Sequence, residues 1–157
     1  MAHILGTLEQ AAQHSQTQDA VPVPGAFGPM GIRLVYINGH DGNLLNIGGL
    51  FNLHWNVDGI ADNTSPDSQI IFELWRNSKS KQYFVRLIYR AQTIDQLRSS
   101  QPRTLANPPA EVYLTPAGCR AGRPCPFTTF VQAANAALDP VYINPNLLPT
   151  QIAPPSL

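Results

Sequence analysis

Two apolar runs separated by a short polar connector constrain the fold of this chain more than any other feature. Residues 70–75 and 83–89 are rich in β-branched and aromatic side chains, whereas the connector at 76–82 is polar. Strand-forming runs with a connector of that size are typical of an antiparallel hairpin. We therefore expect a sheet built around these two strands, with a further short strand at residues 111–115.

Helices are predicted before and after this hairpin. Thr93 and Gln96 form a capping-box pair, which predicts a short helix that ends near Ser99. Apolar residues also recur at helical spacing in three longer segments, residues 2–14, 44–55 and 127–138.

A further strand and turn are predicted just before the second of these helices. The mostly apolar run at residues 32–37 predicts a buried strand. A polar turn at 38–43 follows it, and Asn43 is the predicted N-cap of the next helix. Gly48 and Gly49 would weaken that helix unless another group packs closely against it.

The order of these elements predicts an α/β fold with a mixed sheet and flanking helices. Three or four strands and a few short helices leave room for missing partners, so the domain is expected to be incomplete. It extends over residues 1–138, and the proline-rich remainder at 139–157 is expected to be a tail. Proline, glycine and small polar residues predict irregular connections at residues 15–31, 56–68 and 101–109.

Charge and hydropathy exclude several classes of protein. The 157 residues carry 10 Lys and Arg against 10 Asp and Glu, and charged residues make up only 13%. A neutral, charge-poor chain is poorly suited to nucleic acid or an anionic membrane, so we expect neither as a partner. No apolar run approaches the roughly 20 residues of a membrane span, and residues 1–10 lack the pattern of a signal peptide.

The turn at residues 38–43 is the main candidate site. It lies between a predicted strand and a predicted helix, where α/β sheets bind ligands and helix amides favour an anion. A protonated His40 can donate a hydrogen bond to a phosphate oxygen, and a protonated Asp41 can give its proton to a leaving alkoxide. The alternative is an ordinary turn, because glycine, asparagine and aspartate are common in turns.

Other catalytic signatures are absent from the sequence. The histidines, cysteines and carboxylates lack metal-ligand spacing, and there is no serine hydrolase or P-loop motif. We therefore predict no metal and no cofactor. His54 is expected to cap a helix or lie on the surface, and His3 and His14 are expected to have no partners.

The candidate turn lies within a longer segment that resembles the histidine acid phosphatases, most closely their bacterial periplasmic phytase and glucose-1-phosphatase branch. Residues 35–49 read VYINGHDGNLLNIGG and are similar to the His-Asp segment of that family. The resemblance covers most of residues 2–138. It continues in order through residues 51–55, 66–76, 107–115 and 117–125 and the predicted last helix.

The resemblance implies a phosphoglycerate-mutase-like fold and an acid phosphomonoesterase that works through a phosphohistidine. Carried over by position, His40 binds phosphate, Asp41 is the proton donor, and Gly42 and Asn43 contact the substrate. The implied partner is a small-molecule phosphate monoester. Because Gly42 offers no side chain, the motif does not select between phytate and a sugar phosphate.

One part of the family pattern is missing. The family's nucleophile is a histidine in an Arg-His-Gly motif, which does not occur in this sequence. We therefore expect the C-terminal part of an enzyme more than twice as long, inactive alone, with the N-terminal part of that enzyme as a candidate partner. Two alternatives stay open: a non-catalytic module that binds a phosphorylated ligand, and a fragment without a function of its own.

The two cysteines, Cys119 and Cys125, allow two interpretations. They can close a short loop as a disulfide worth about 2–3 kcal/mol, or they can be reduced thiols. The resemblance implies the disulfide, since the family has a bridged loop at this place. A disulfide requires an oxidising compartment, so we expect the full-length parent to be periplasmic or secreted.

Overall fold

The computed structural model describes residues 1–17 and 19–143. The helices are α1 (Ala2–His14), α2 (Asp41–Phe51), α3 (Ile94–Ser99) and α4 (Phe127–Ala137), followed by a 3-10 turn at Pro140–Tyr142. The strands are β1 (Asn56–Val57), β2 (Ile60–Ala61), β3 (Gln69–Arg76), β4 (Tyr83–Ala91), β5 (Ala110–Leu114) and β6 (Cys125–Pro126).

The predicted hairpin is confirmed and forms the centre of the sheet. β3 and β4 pair antiparallel from Gln69 opposite Arg90 to Arg76 opposite Tyr83. The other edge of β4 pairs with β5 and, near its start, with β6. A mixed sheet was expected, but every strand pairing within the described residues is antiparallel.

The hydrophobic core lies between this sheet and the helices. Phe130 of α4 is fully buried and stacks on Phe51 of α2, with ring centroids 5.3 Å apart. Phe72 of β3 approaches the same Phe130 ring edge-on at 6.2 Å. These aromatic contacts join the sheet to both helices, as expected for an α/β layer structure.

Three predicted helices match the structure closely. α1 has the predicted bounds, and α4 ends one residue earlier than predicted. The capping box of α3 is complete: Thr93 Oγ1 accepts from the Gln96 N–H at 3.1 Å, and Gln96 Oε1 accepts from the Thr93 N–H at 3.0 Å. Such reciprocal bonds satisfy two amides that would otherwise have no partner.

The close packing expected at the glycine pair of α2 exists at one of the two positions. A Cβ atom at Gly48 would lie 3.1 Å from the Trp55 ring. Trp55 in turn stacks on Tyr89 of β4, with centroids 4.6 Å apart. Gly48 therefore allows α2 to approach the core, whereas Gly49 faces open space.

The buried strand predicted at residues 32–37 is wrong. This segment is extended but belongs to no sheet, and Leu34, Tyr36 and Ile37 are exposed. A strand needs a neighbour to accept and donate its main-chain hydrogen bonds. Within the described residues this apolar run has no such neighbour.

Two other boundaries are corrected. α2 begins at Asp41 with His40 as its N-cap, so the prediction of a helix over 44–55 capped by Asn43 is wrong at both ends. The predicted loop at 56–68 contains the small β1–β2 hairpin. Asp58 and Gly59 connect its strands with positive φ angles of 57° and 78°, which suit a tight hairpin turn.

The predicted tail lies mostly outside the described residues, which end at Ile143. No helix in the described ranges has the length and apolar character needed to cross a bilayer.

Candidate active site

A large groove runs along one side of the molecule, with a cavity volume of about 2190 Å³. We define the groove by the segments that line it. The lining includes the extended segment at residues 31–39 and β3 with the loop at 64–68. α1 and α2 supply much of the remaining lining, and most of the lining surface is apolar.

His40 and Asp41 lie together where the extended segment passes into α2, and both side chains line the groove. The backbone of His40 is extended, with φ −110° and ψ 167°, and Asp41 is the first residue of the helix. Both residues are exposed. A ligand in the groove can therefore reach the imidazole, the carboxylate and the N-terminal end of α2.

Asn43 fixes the backbone of this turn. Its Oδ1 accepts a hydrogen bond from the His40 N–H at 2.8 Å, and its own N–H donates to the His40 carbonyl at 2.9 Å. Asp41 Oδ1 accepts from the Gly42 N–H at 2.7 Å. These bonds explain why the helix begins at Asp41: Asn43 acts from the third helical position, as in a capping box, and not as the N-cap.

The two glycines beside the pair differ in their surroundings. A Cβ atom at Gly39 would lie 2.9 Å from Asn43 Oδ1, so the capping bond requires glycine there. Gly42 has no atom within 4 Å of its ideal Cβ position. Gly42 therefore leaves the approach to the helix N-terminus open.

The N-terminal end of α2 carries a partial positive charge. Helix amides create a partial positive charge at the N-terminus, which stabilises an anion such as a bound phosphate. The described residues contain no group of three His, Cys, Asp or Glu side chains placed to hold a metal ion. The arrangement thus combines an anion site with one potential proton donor.

Two other histidines have partners elsewhere. His54 Nδ1 lies 3.0 Å from Asp62 Oδ2 on the surface, as its predicted surface role requires. Hydrogen bonds from His54 and from the Trp55 N–H lower the pKa of Asp62. His3 Nδ1 lies 2.6 Å from the Gly25 carbonyl oxygen, so the expectation that His3 has no partner is wrong.

The loop at residues 64–68 was predicted as an irregular connection, but no sequence pattern predicted that it lines the groove. Ser65 and Asp67 belong to this loop. Ser65 Oγ is buried and has no hydrogen-bond partner within the described residues. Asp67 has a positive φ of 60°, and the neighbouring residues do not predict this conformation. The position of the loop beside the groove depends on the tertiary fold.

Cys119 and Cys125 are joined by a disulfide, with their Cα atoms 5.3 Å apart. The bridge closes the loop that precedes α4 and places Cys125 in β6 against β4. It lies outside the lining of the groove.

Comparison with known proteins identifies the family to which this fold belongs. Residues 1–90 match the family model of the histidine phosphatase superfamily, branch 2. This chain belongs to that superfamily. Phytase AppA of Escherichia coli strain K12 is 38% identical over 110 residues, which are 68% of this chain and 26% of that protein. A glucose-1-phosphatase of Providencia rettgeri is 25% identical over 88 residues, 55% of this chain and 21% of that protein.

A solved structure confirms the α/β histidine phosphatase fold. The Hafnia alvei phytase in complex with myo-inositol hexakis sulphate superposes with a TM-score of 0.63 at 27% identity. The match covers 88% of this chain and 35% of that one. The chain therefore spans about a quarter to a third of the length of the phytases it matches.

Proposed function

We propose that this chain forms the proton-donor part of an acid phosphomonoesterase site. The observation that carries the proposal is the pairing of His40 and Asp41 at the start of α2, exposed in a groove, in a member of the histidine phosphatase superfamily. His40 binds the phosphoryl group, and Asp41 protonates the leaving group.

Phosphate binding follows from the local geometry. The N-terminus of α2 favours an anion, and the imidazolium form of His40 donates a charge-assisted hydrogen bond to a phosphate oxygen. Asn43 accepts a hydrogen bond from the His40 N–H, and this bond fixes the backbone that carries the imidazole. Its Oδ1 is used in that bond, which leaves only its Nδ2 for the predicted contact with substrate.

The proton step requires Asp41 in its carboxylic acid form. As the bond between phosphorus and the ester oxygen breaks, the proton moves from the Asp41 carboxyl to that oxygen, and an alcohol leaves. The attacking nucleophile must come from residues outside this sequence, because it contains no Arg-His-Gly motif.

We therefore expect this chain to bind phosphate without hydrolysing a phosphate ester. Titration with inorganic phosphate at acid pH, followed by NMR, should show binding that His40→Ala weakens about tenfold, the loss expected for one charge-assisted hydrogen bond. Asp41→Asn should keep the affinity, because Asp41 acts on the leaving group. His54→Ala is the matched control, since His54 lies outside the groove lining.

Turnover of an aryl phosphate by the isolated chain should not exceed background. Clear activity that His40→Ala abolishes would contradict the assignment of the nucleophile to another part of the enzyme. Undetectable phosphate binding by the unaltered chain would remove the binding role of His40.

The substrate class is a phosphate monoester of a polyol or sugar. Relatives named as a phytase and as a glucose-1-phosphatase both support this class. The open space at Gly42 supplies no side chain that would select between the two substrates. An oxidising compartment such as the periplasm fits the Cys119–Cys125 disulfide.

A further inference from the structure

Asn38 and Gly39 end the extended segment, directly before the His40–Asp41 pair. Both residues are exposed. Neither makes a hydrogen bond to another described residue, through its main chain or its side chain. The side-chain amide of Asn38 and the N–H of Gly39 are therefore adjacent, open to water and not held by other groups of the described chain.

An Asn-Gly pair of this kind can react with itself. The Gly39 nitrogen loses its proton and attacks the Cγ carbon of Asn38, and the side-chain nitrogen leaves as ammonia. The product is a five-membered succinimide ring. Water then opens the ring at one of its two carbonyl carbons, which leaves an aspartate or an isoaspartate at position 38. Glycine favours the attack, because it has no Cβ atom to obstruct the ring and leaves the backbone free to rotate.

Asn77 shows the contrasting situation within the same chain. It is also exposed, and a small residue, Ser78, follows it. Its Oδ1 atom, however, accepts hydrogen bonds from the Lys79 N–H at 2.8 Å and the Ser80 N–H at 2.9 Å. Closing a succinimide at Asn77 has to break these hydrogen bonds, whereas the described structure holds Asn38 by none.

We propose that Asn38 is a site of spontaneous deamidation, and that its conversion to an acid lowers the affinity of the neighbouring site for phosphate. The first part depends only on Asn38 and Gly39. The second part rests on the proposed function, because it assigns the phosphate to His40.

Both products of the reaction disturb the site next to them. Each replaces a neutral amide with a carboxylate on the lining of the groove that His40 and Asp41 share. Such a carboxylate repels a phosphate anion. Isoaspartate also adds one carbon atom to the main chain, just before the backbone that Asn43 fixes at the His40 N–H.

The reaction has a defined direction and pH dependence. Water replaces ammonia, so the amide does not re-form in dilute solution. Ring closure requires the Gly39 N–H to lose its proton, so it is faster at alkaline pH than at acid pH. Acid conditions therefore preserve Asn38, and slightly alkaline conditions convert it.

The first test is ageing of the full chain at slightly alkaline pH, followed by peptide mapping with mass spectrometry. Conversion of the amide to an acid raises the mass of the peptide that contains residue 38. We expect Asn38 to convert at least about tenfold faster than Asn77, whose hydrogen bonds must first break. Asn38→Gln is the matched variant and should show no gain here, because its longer side chain must close a larger ring. Equal rates at Asn38 and Asn77, or an unchanged Asn38, would overturn the proposal.

The second test is titration with inorganic phosphate, followed by NMR, before and after ageing. The affinity of the aged chain should fall about fivefold, the effect of a like charge close to the anion in water. Asn38→Asp carries that charge from the start and should bind as weakly before ageing. Asn38→Gln should keep its affinity throughout. Full conversion of Asn38 with unchanged affinity would overturn the effect on the phosphate site.

The mass and affinity measurements fail separately. A fresh chain that binds no phosphate would remove the proposed function and the effect on affinity, and the mass of the peptide would still decide whether Asn38 is modified. A fresh chain that binds phosphate and keeps its Asn38 amide on ageing would remove the modification site and leave the proposed function intact.

Discussion

The hairpin β3–β4 and residues 32–37 of the extended segment have similar apolar, β-branched sequences but differ in burial and in strand pairing. β4 is paired on both edges, and its Val85, Leu87 and Tyr89 are almost fully buried. The extended segment pairs with no strand within residues 1–17 and 19–143, and Leu34 and Tyr36 face solvent. The difference shows that β propensity describes a requirement for neighbours, which the hairpin supplies within the chain and the segment does not.

The largest predicted effect compares the same substitution in the two regions. Leu87→Ala removes a side chain with 1% exposure from β4 and should cost about 2–5 kcal/mol of unfolding free energy. Leu34→Ala removes a side chain with no core contacts to lose and should change stability by less than ~0.5 kcal/mol. Urea unfolding of both variants measures the contrast. Similar losses would mean that residues 32–37 pack into a sheet in the free chain.

The buried region also contains one group that opposes its stability. Glu9 of α1 is fully buried, and neither carboxylate oxygen has a hydrogen-bond partner within the described residues. Burial raises the pKa of Glu9 from 4.5 to about 7. Between these values the unfolded carboxyl has lost its proton while the folded one keeps it. The contribution of Glu9 to stability is therefore most favourable at acid pH and falls as the pH rises, by about 3 kcal/mol in total.

Glu9→Gln should remove this fall, because the amide does not ionise. Urea unfolding between acid and slightly alkaline pH should show equal stability of the two proteins at the acid end and a more stable variant at the alkaline end. Asp19→Asn, at an exposed carboxylate, is the control and should keep the slope of the parent. A pH dependence unchanged by Glu9→Gln would contradict the buried, unpaired carboxylate.

Gly48 and Gly49 of α2 give the same comparison, between a packed and an open position, within one helix. Gly48→Ala places a Cβ atom 3.1 Å from the Trp55 ring, and overpacking of this kind costs ~1–3 kcal/mol. Gly49→Ala meets no atom within 4 Å and should stabilise the helix by about 0.5–1 kcal/mol. Thermal unfolding should therefore move in opposite directions for the two variants. Shifts of the same sign would exclude the close approach of α2 to Trp55.

The sequence was most informative where structure depends on near neighbours. The 3-residue spacing of Thr93 and Gln96 predicted α3, and the polar connector at 76–82 predicted the hairpin. The start of α2 was missed because Asn43 reaches back to the His40 N–H, so a typical N-cap residue acts from inside the helix. The extended segment was missed because burial depends on what lies beside it. The contribution of the loop at 64–68 to the groove was missed because only the tertiary fold brings the loop there.

The smallest predicted effect lies at the candidate site and tests whether the hydrogen bond between Asn43 and His40 supports phosphate binding. Gly39→Ala would place a Cβ atom 2.9 Å from Asn43 Oδ1 and displace it from the His40 N–H, at a cost of ~1 kcal/mol. Because the imidazole depends on that backbone, phosphate affinity should fall with stability. Gly42→Ala is the matched control and should lower neither quantity, since its Cβ atom meets no neighbour. Phosphate titration and urea unfolding measure both. Weaker binding in Gly42→Ala alone would mean that phosphate lies against residue 42, and that Asn43 shapes the helix end without shaping the site.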